Sequence, residues 1–60
     1  MNRFYMNRTE ADILDLCNRL GKSAAETEKA VIIARQYPKE AGRILGYYQG
    51  QADALSLIHI

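Results

Sequence analysis

The sequence predicts an all-α protein, a small three-helix bundle whose third helix is the longest. Capping motifs predict two helix starts, one at Asn7 or Thr9 and one at Ser23. Gly21 and Pro38 separate the helical segments, because glycine readily ends a helix and proline readily begins one. The alternation of apolar and polar residues that marks strands is missing, so residues 1–60 are interpreted as a single helical domain.

The first helix is predicted over about residues 8–20, after an N-terminal arm over residues 1–7. An extension of the helix over Phe4, Tyr5 and Met6 is the alternative. Two overlapping residue pairs have the capping-box spacing, Asn7 with Glu10 and Thr9 with Asp12, and the sequence leaves both open. Asp15 and Arg19 are spaced to pair on the solvent side. The inward face consists of Ile13, Leu16, Cys17 and Leu20.

The second helix is predicted over about residues 24–36, after a capping box formed by Ser23 and Glu26. Its inward face consists of Thr27, Ala30, Val31, Ala34 and Tyr37, with Ile33 at the edge. Pro38 then ends this helix and begins the next, since its missing N–H is not needed in a first turn.

The third helix, over about residues 38–58, presents three different sides. The inward face consists of Ala41, Ile44, Leu45, Tyr48, Ala52, Leu55 and His59. A second apolar stripe consists of Tyr47, Ala54 and Ile58, and a third side is a glycine line of Gly42, Gly46 and Gly50, continued by Leu57. Beyond Glu40 the only charged residues are Arg43 and Asp53, too few to hydrate the outward half of an ordinary surface helix.

The glycine line needs a compensating contact, because each glycine inside a helix costs about 1 kcal/mol relative to alanine. The close approach of another backbone is the simplest reason. That backbone belongs either to a second chain or to this chain's own N-terminal half, and the sequence leaves both interpretations open. A two-fold homodimer through the third helix is the simplest form of the first. The residues predicted for self-association or partner binding are Gly42, Gly46, Gly50, Tyr47, Ala54, Leu57, Ile58 and the exposed Ile32 of the second helix.

Residues for catalysis or metal binding are scarce. Cys17 is the only cysteine and His59 the only histidine, which together cannot supply a structural zinc site. Cys17 lies on the inward face of the first helix, where a buried, inert thiol is expected. No loop that could cradle a phosphate is present, because Gly42, Gly46 and Gly50 lie within a helix. We therefore predict a protein without enzymatic activity and without a cofactor or metal.

The apolar segment of residues 44–60 contains only one charged residue, Asp53. It is shorter than the roughly 20 apolar residues that a membrane span requires, and polar residues lie at its middle. The N-terminal residues do not resemble a secretory signal. We predict a cytoplasmic protein that does not enter a membrane.

A helix-turn-helix nucleic-acid-binding regulator is the alternative. The second and third helices would form the reading unit, with Arg3 and Arg8 on the nucleic-acid backbone. The residues facing a groove would be Lys39, Arg43 and Tyr47. The balance of eight Lys and Arg against seven Asp and Glu disfavours this, since neutralising phosphates supplies most of the affinity.

The spacing of residues 13–48 resembles that of the ubiquitin-associated domain, a compact three-helix fold. The residues that carry the resemblance are Leu20, Gly21, Lys29, Ala30, Val31, Ala41, Ile44 and Leu45. Lys22 stands where that family usually has the aromatic residue of its ubiquitin-contacting loop. The resemblance implies a three-helix arrangement and does not extend to ubiquitin binding.

These observations together predict a small protein-protein interaction module. Its expected role is that of a regulator, inhibitor or adaptor of a larger protein, and its partner is another protein or a second copy of itself. Short chains of this kind are often encoded by phages and other mobile elements, which is an argument from frequency only.

Overall fold

In a computed structural model the chain folds into three α-helices, α1 (Arg8–Arg19), α2 (Ala24–Gln36) and α3 (Pro38–Ile58). The structure describes the backbone of residues 6–58 and the side chains of residues 6–56. Within this part of the chain no strand is present. The predicted three-helix bundle with a long third helix is therefore confirmed, whereas most of the predicted N-terminal arm lies outside the described residues.

Side-chain caps begin the first two helices. The Asn7 side chain accepts a hydrogen bond from the Glu10 backbone N–H at 2.8 Å, so Asn7 and not Thr9 caps α1. The Ser23 hydroxyl oxygen accepts from the Glu26 N–H at 3.1 Å at the start of α2. The carboxylates of Glu10 and Glu26 do not fold back onto these caps. They contact other helices instead and tie the bundle together.

The connections between helices follow from Gly21 and Pro38. Gly21 has a φ of +74°, and the N–H groups of Gly21 and Lys22 donate to the carbonyls of Asn18 and Cys17 at 3.2 and 3.0 Å. This pattern is a Schellman motif, which the left-handed conformation of a glycine makes possible. Only Tyr37 separates α2 from α3, and Pro38 is the first residue of α3.

The core lies where the three helices meet and is built largely from small side chains. Its buried members are Ile13, Cys17, Ala30, Val31, Ala34, Ala41 and Tyr48. The partly buried residues around them are Met6, Leu14, Leu16, Leu20, Ile44 and Leu45. Small residues allow the helices to approach closely, and most of the predicted inward faces are confirmed. The predicted Asp15–Arg19 ion pair is present at 3.1 Å on the exposed side of α1.

Two residues predicted to face inward are exposed instead. Tyr37 is 59% exposed because it caps α2 with φ −126° and ψ 81°, outside the helical geometry on which the prediction depended. Leu55 is 46% exposed because α3 is too long for its neighbours. The prediction for His59 lies outside the described residues.

Near its C-terminal end α3 is exposed, and residues 53–56 all have exposed side chains. It has 21 residues, against 12 in α1 and 13 in α2. At about 1.5 Å per residue, α3 is roughly 12–14 Å longer than either. Tyr48 is the last buried residue among the described side chains of α3, and it contacts Glu26 at the start of α2. The following turns therefore extend past the α1–α2 connection.

Candidate interaction surface

The side of α3 that faces away from the core carries three glycines, Gly42, Gly46 and Gly50, here called the glycine face. All three are exposed. A methyl group added at any of them would meet no described atom within 4 Å apart from the helix's own nearby backbone. The described residues of α1 therefore do not pack against this face. The alternative that the N-terminal aromatic arm covers it concerns Phe4 and Tyr5, which lie outside the described residues.

Tyr47 lies beside the glycine face and is 63% exposed. Its ring meets the ring of Tyr48 edge-on, with centroids 5.1 Å apart. Ala54, predicted to share the stripe of Tyr47, is also exposed. The side chains of Leu57 and Ile58 lie outside the described residues. An aromatic ring beside exposed backbone thus forms the described part of the predicted surface.

A groove between α2 and α3 adjoins this surface. It encloses about 460 Å³ and is lined by Glu26, Lys29, Ala30, Ile33, Arg43, Ile44, Tyr47 and Tyr48. Apolar side chains dominate the lining, and charged groups from both helices accompany them. The sequence patterns of the separate helices could not reveal this groove, because it exists only where Ile33 of α2 lies beside Ile44 of α3. We call it the α2–α3 groove.

Ile32, which was predicted to belong to the same interaction surface, lies elsewhere. It is 45% exposed and lines a different groove, between α1 and α2, together with Leu14 and Met6. Successive helical residues differ by about 100° in direction, so Ile33 faces α3 while Ile32 faces α1. The structure thus brings Tyr47 and Gly46 together on α3 and separates Ile32 from them.

Tyr48 anchors the inward side of α3 beneath this surface. It is only 6% exposed, and its hydroxyl donates a hydrogen bond to Glu26 Oε2 at 2.9 Å. The Lys22 ammonium lies 6.0 Å from the centre of its ring. Burial raises the pKa of Tyr48 above its ordinary value, and the Glu26 carboxylate and the nearby Cys17 add to the shift. Tyr48 therefore stays neutral at physiological pH and acts as a hydrogen-bond donor.

A second polar contact, Glu10 with Arg35, fixes the opposite end of the bundle. The Glu10 side chain is 7% exposed and its Oε1 accepts from Arg35 Nη2 at 3.4 Å. Sequence reasoning treated Glu10 only as a capping residue. Its spacing of three and seven residues from Ile13 and Cys17 places it on the same face of α1, which was the available signal.

The cations proposed to contact nucleic acid lie near that end. Arg8 and Lys39 are exposed in the first turns of α1 and α3, and Arg43 lies 3.6 Å from Glu40. Arg3 lies outside the described residues. Two acidic partners, Glu10 and Glu40, thus accompany the arginines at this end and reduce its positive charge.

The packing of α2 on α3 also differs from a helix-turn-helix. Glu26 and Tyr48 each lie 11 residues from Tyr37, about 16 Å along their helices. Their side chains are hydrogen-bonded, so α2 and α3 run side by side in opposite directions. A helix-turn-helix unit has its helices at about 90–120°.

Other types of site are not evident in the described part of the chain. There, no three His, Cys, Asp or Glu side chains are grouped so that they could hold a metal ion. Cys17 is completely buried, as predicted. No described helix has both the length and the apolar character needed to cross a membrane.

Comparison with known proteins finds no matching family model, no similar curated protein and no similar solved structure. The resemblance to the ubiquitin-associated domain is thus one of residue spacing. The geometry of α3 and its groove is therefore the basis on which a function can be inferred.

Proposed function

We propose that this chain is a non-catalytic protein-protein interaction module that acts as a regulator, inhibitor or adaptor through the outward side of α3. The main observation behind the proposal is the glycine face. Three glycines lower the stability of α3, and the described residues provide no contact that would require them. A residue choice that costs stability without an internal reason is typical of a surface selected for binding.

The surroundings of the glycine face support the same proposal. Tyr47 is a large, mostly exposed aromatic side chain, and aromatic residues are enriched at the centres of protein interfaces. It lies between exposed backbone at Gly46 and the apolar α2–α3 groove. A partner that contacts both would bury an aromatic anchor together with a flat helical surface. A cytoplasmic location is part of the proposal, since a free buried thiol at Cys17 suits a reducing compartment.

The test measures whether the outward side of α3 governs association. The variants are Gly46→Leu, which makes the glycine face bulky, and Tyr47→Lys, which places a charge beside it. Asp12→Lys, on the exposed side of α1, is the matched control. Light scattering gives the mass over a range of concentrations, and immobilised protein gives the retention of binding proteins from a cell extract.

We expect both α3 variants to reduce association and the control to leave it unchanged. Circular dichroism should show all three folded, because Gly46 has open space for a side chain and the other two positions are exposed. If mass and retention are the same for every variant, the proposed function is wrong. Micromolar binding to mixed-sequence DNA that weakens steeply with salt would instead favour the nucleic-acid alternative.

A further inference from the structure

Two opposite charges flank the glycine face at equal distances from its centre. Lys39 lies seven residues before Gly46, and Asp53 lies seven residues after it. At about 100° per residue, both point within roughly 20° of the direction of Gly46. Both side chains are exposed, and neither forms an ion pair within the described part of the chain.

The glycines have the same symmetry. Gly42 and Gly50 lie four residues on either side of Gly46 and point within about 40° of it. The face therefore reads, from one end to the other, as a cation, three glycines and an anion, spaced symmetrically about Gly46. Reversing the helix direction exchanges the cation and the anion and leaves the glycines in place.

From this charge complementarity we propose that the partner of this face is a second copy of the same chain, with the two α3 helices antiparallel and the two-fold axis at Gly46. In that arrangement Lys39 of each copy lies opposite Asp53 of the other, so the dimer contains two ion pairs. Gly42 of each copy lies opposite Gly50 of the other, and the backbones approach where no side chain intervenes. A parallel pair would instead place each charge opposite its own kind.

The arrangement is compatible with the rest of the structure. The glycine face points away from Tyr48 and the core, so a second helix can reach it without displacing α1 or α2. Residues 53–56 of α3 are exposed, so Asp53 is accessible to a second chain. A two-fold contact needs only one self-complementary patch, and this face has one. The inference rests on the proposed function and names the partner.

Charge reversal tests the register directly. Lys39→Asp and Asp53→Lys are made singly and together, and the dimer dissociation constant is measured by analytical ultracentrifugation at low salt. Each single reversal replaces two attractive contacts with two repulsive ones, so we expect it to raise that constant about tenfold or more. The double variant restores both attractions with their direction inverted and should dimerise nearly as well as the wild type.

Mixing provides the second measurement. In a heterodimer of the two single variants, both antiparallel contacts pair opposite charges, so the mixture should dimerise although neither variant does so well alone. Glu28→Lys, an equal charge change at an exposed residue of α2 on the side of α1, is the control and should not impair dimerisation. Circular dichroism must show every variant folded.

Two results would overturn the inference, and they are distinguishable from a failure of the proposed function. A wild-type chain that stays monomeric up to millimolar concentration excludes the second copy. A dimer that ignores both reversals excludes the Gly46-centred register. In either case the effects of Gly46→Leu and Tyr47→Lys on partner retention still decide whether the outward side of α3 is an interaction surface.

Discussion

The inward and outward sides of α3 differ in burial and in their contacts. The neighbouring residues Tyr48 and Tyr47 show the difference. Tyr48 is 6% exposed and hydrogen-bonded to Glu26, whereas Tyr47 is 63% exposed and adjoins the bare backbone of Gly46. Contacts within the chain account for the residues on the inward side. Contacts among the described residues do not account for the glycines on the outward side, which the proposed function assigns to contact with another molecule.

Truncating the two tyrosines gives the largest contrast. Tyr48→Ala should lower the free energy of unfolding by about 3–5 kcal/mol, because it removes a buried ring from a small core. Tyr47→Ala is the matched control and should cost less than about 1 kcal/mol, since its ring is mostly in water. Urea unfolding followed by circular dichroism measures both. Equal losses would mean that the two sides of α3 are packed alike.

The contact between Glu10 and Arg35 tests how much a buried polar group contributes to the stability of the bundle. Arg35→Ala leaves the Glu10 carboxylate buried without its partner and should cost about 1–3 kcal/mol. Glu10→Gln should cost less, because the Arg35 side chain is 50% exposed and water can solvate it.

Urea unfolding midpoints of the two variants measure this asymmetry. Arg19→Ala provides the control, since its ion pair with Asp15 is exposed and should contribute well under 1 kcal/mol. A larger loss for Glu10→Gln than for Arg35→Ala would show that burial of the carboxylate is not what makes this contact matter.

The hydroxyl of Tyr48 gives a smaller, pH-dependent effect. Tyr48→Phe should cost about 1 kcal/mol at pH 8, the value of one hydrogen bond. The pKa of Tyr48 is raised in the folded state, so its contribution is fully present below about pH 10, where unfolded tyrosine titrates, and is lost above it. The difference between wild type and Tyr48→Phe should therefore disappear by about pH 11.

Unfolding midpoints from pH 8 to 11 follow this change, and lysine titration affects both proteins equally. Tyr47→Phe serves as the control, because the exposed Tyr47 hydroxyl has no described hydrogen-bond partner. A constant difference between wild type and Tyr48→Phe across this range would contradict the raised pKa.

Local signals in the sequence predicted most of the fold. Ser23, Gly21 and Pro38 act through the backbone next to them, so their effects do not depend on the rest of the chain. The sequence does not distinguish Asn7 from Thr9 as the cap of α1, because both offer the same local chemistry. In the structure Asn7 accepts from the Glu10 backbone N–H, and the Glu10 carboxylate contacts Arg35 of the packed α2.

The features that could not be predicted from the sequence depend on how the helices pack against each other along their lengths. Leu55 has the periodicity of a core residue, but α1 and α2 end before they reach it. Ile32 has the composition of an interaction residue, but it faces α1 and not the outward side of α3. The glycine face could be predicted from the sequence, because three glycines at four-residue spacing lower the stability of any helix. The open space around it could be seen only in the structure.

The smallest expected change in stability comes from replacing a glycine on the outward side of α3. It is the most direct test of that side, because its expected sign is opposite to that of the control substitution. Gly46→Ala should stabilise the isolated chain by about 0.5–1 kcal/mol, since alanine favours the helix and its methyl group has open space. Gly21→Ala is the matched control and should destabilise, because Gly21 has a φ of +74°. Thermal unfolding in the Lys39→Asp background, where dimerisation is weakened, measures both.

A loss of stability in Gly46→Ala would mean that part of this chain already covers the glycine face. A gain leaves association as the reason for the glycines. The same methyl group should then weaken the wild-type dimer, because it lies at the point of closest backbone approach. Opposite effects of one substitution on the monomer and on the dimer would assign the stability cost of Gly46 to binding.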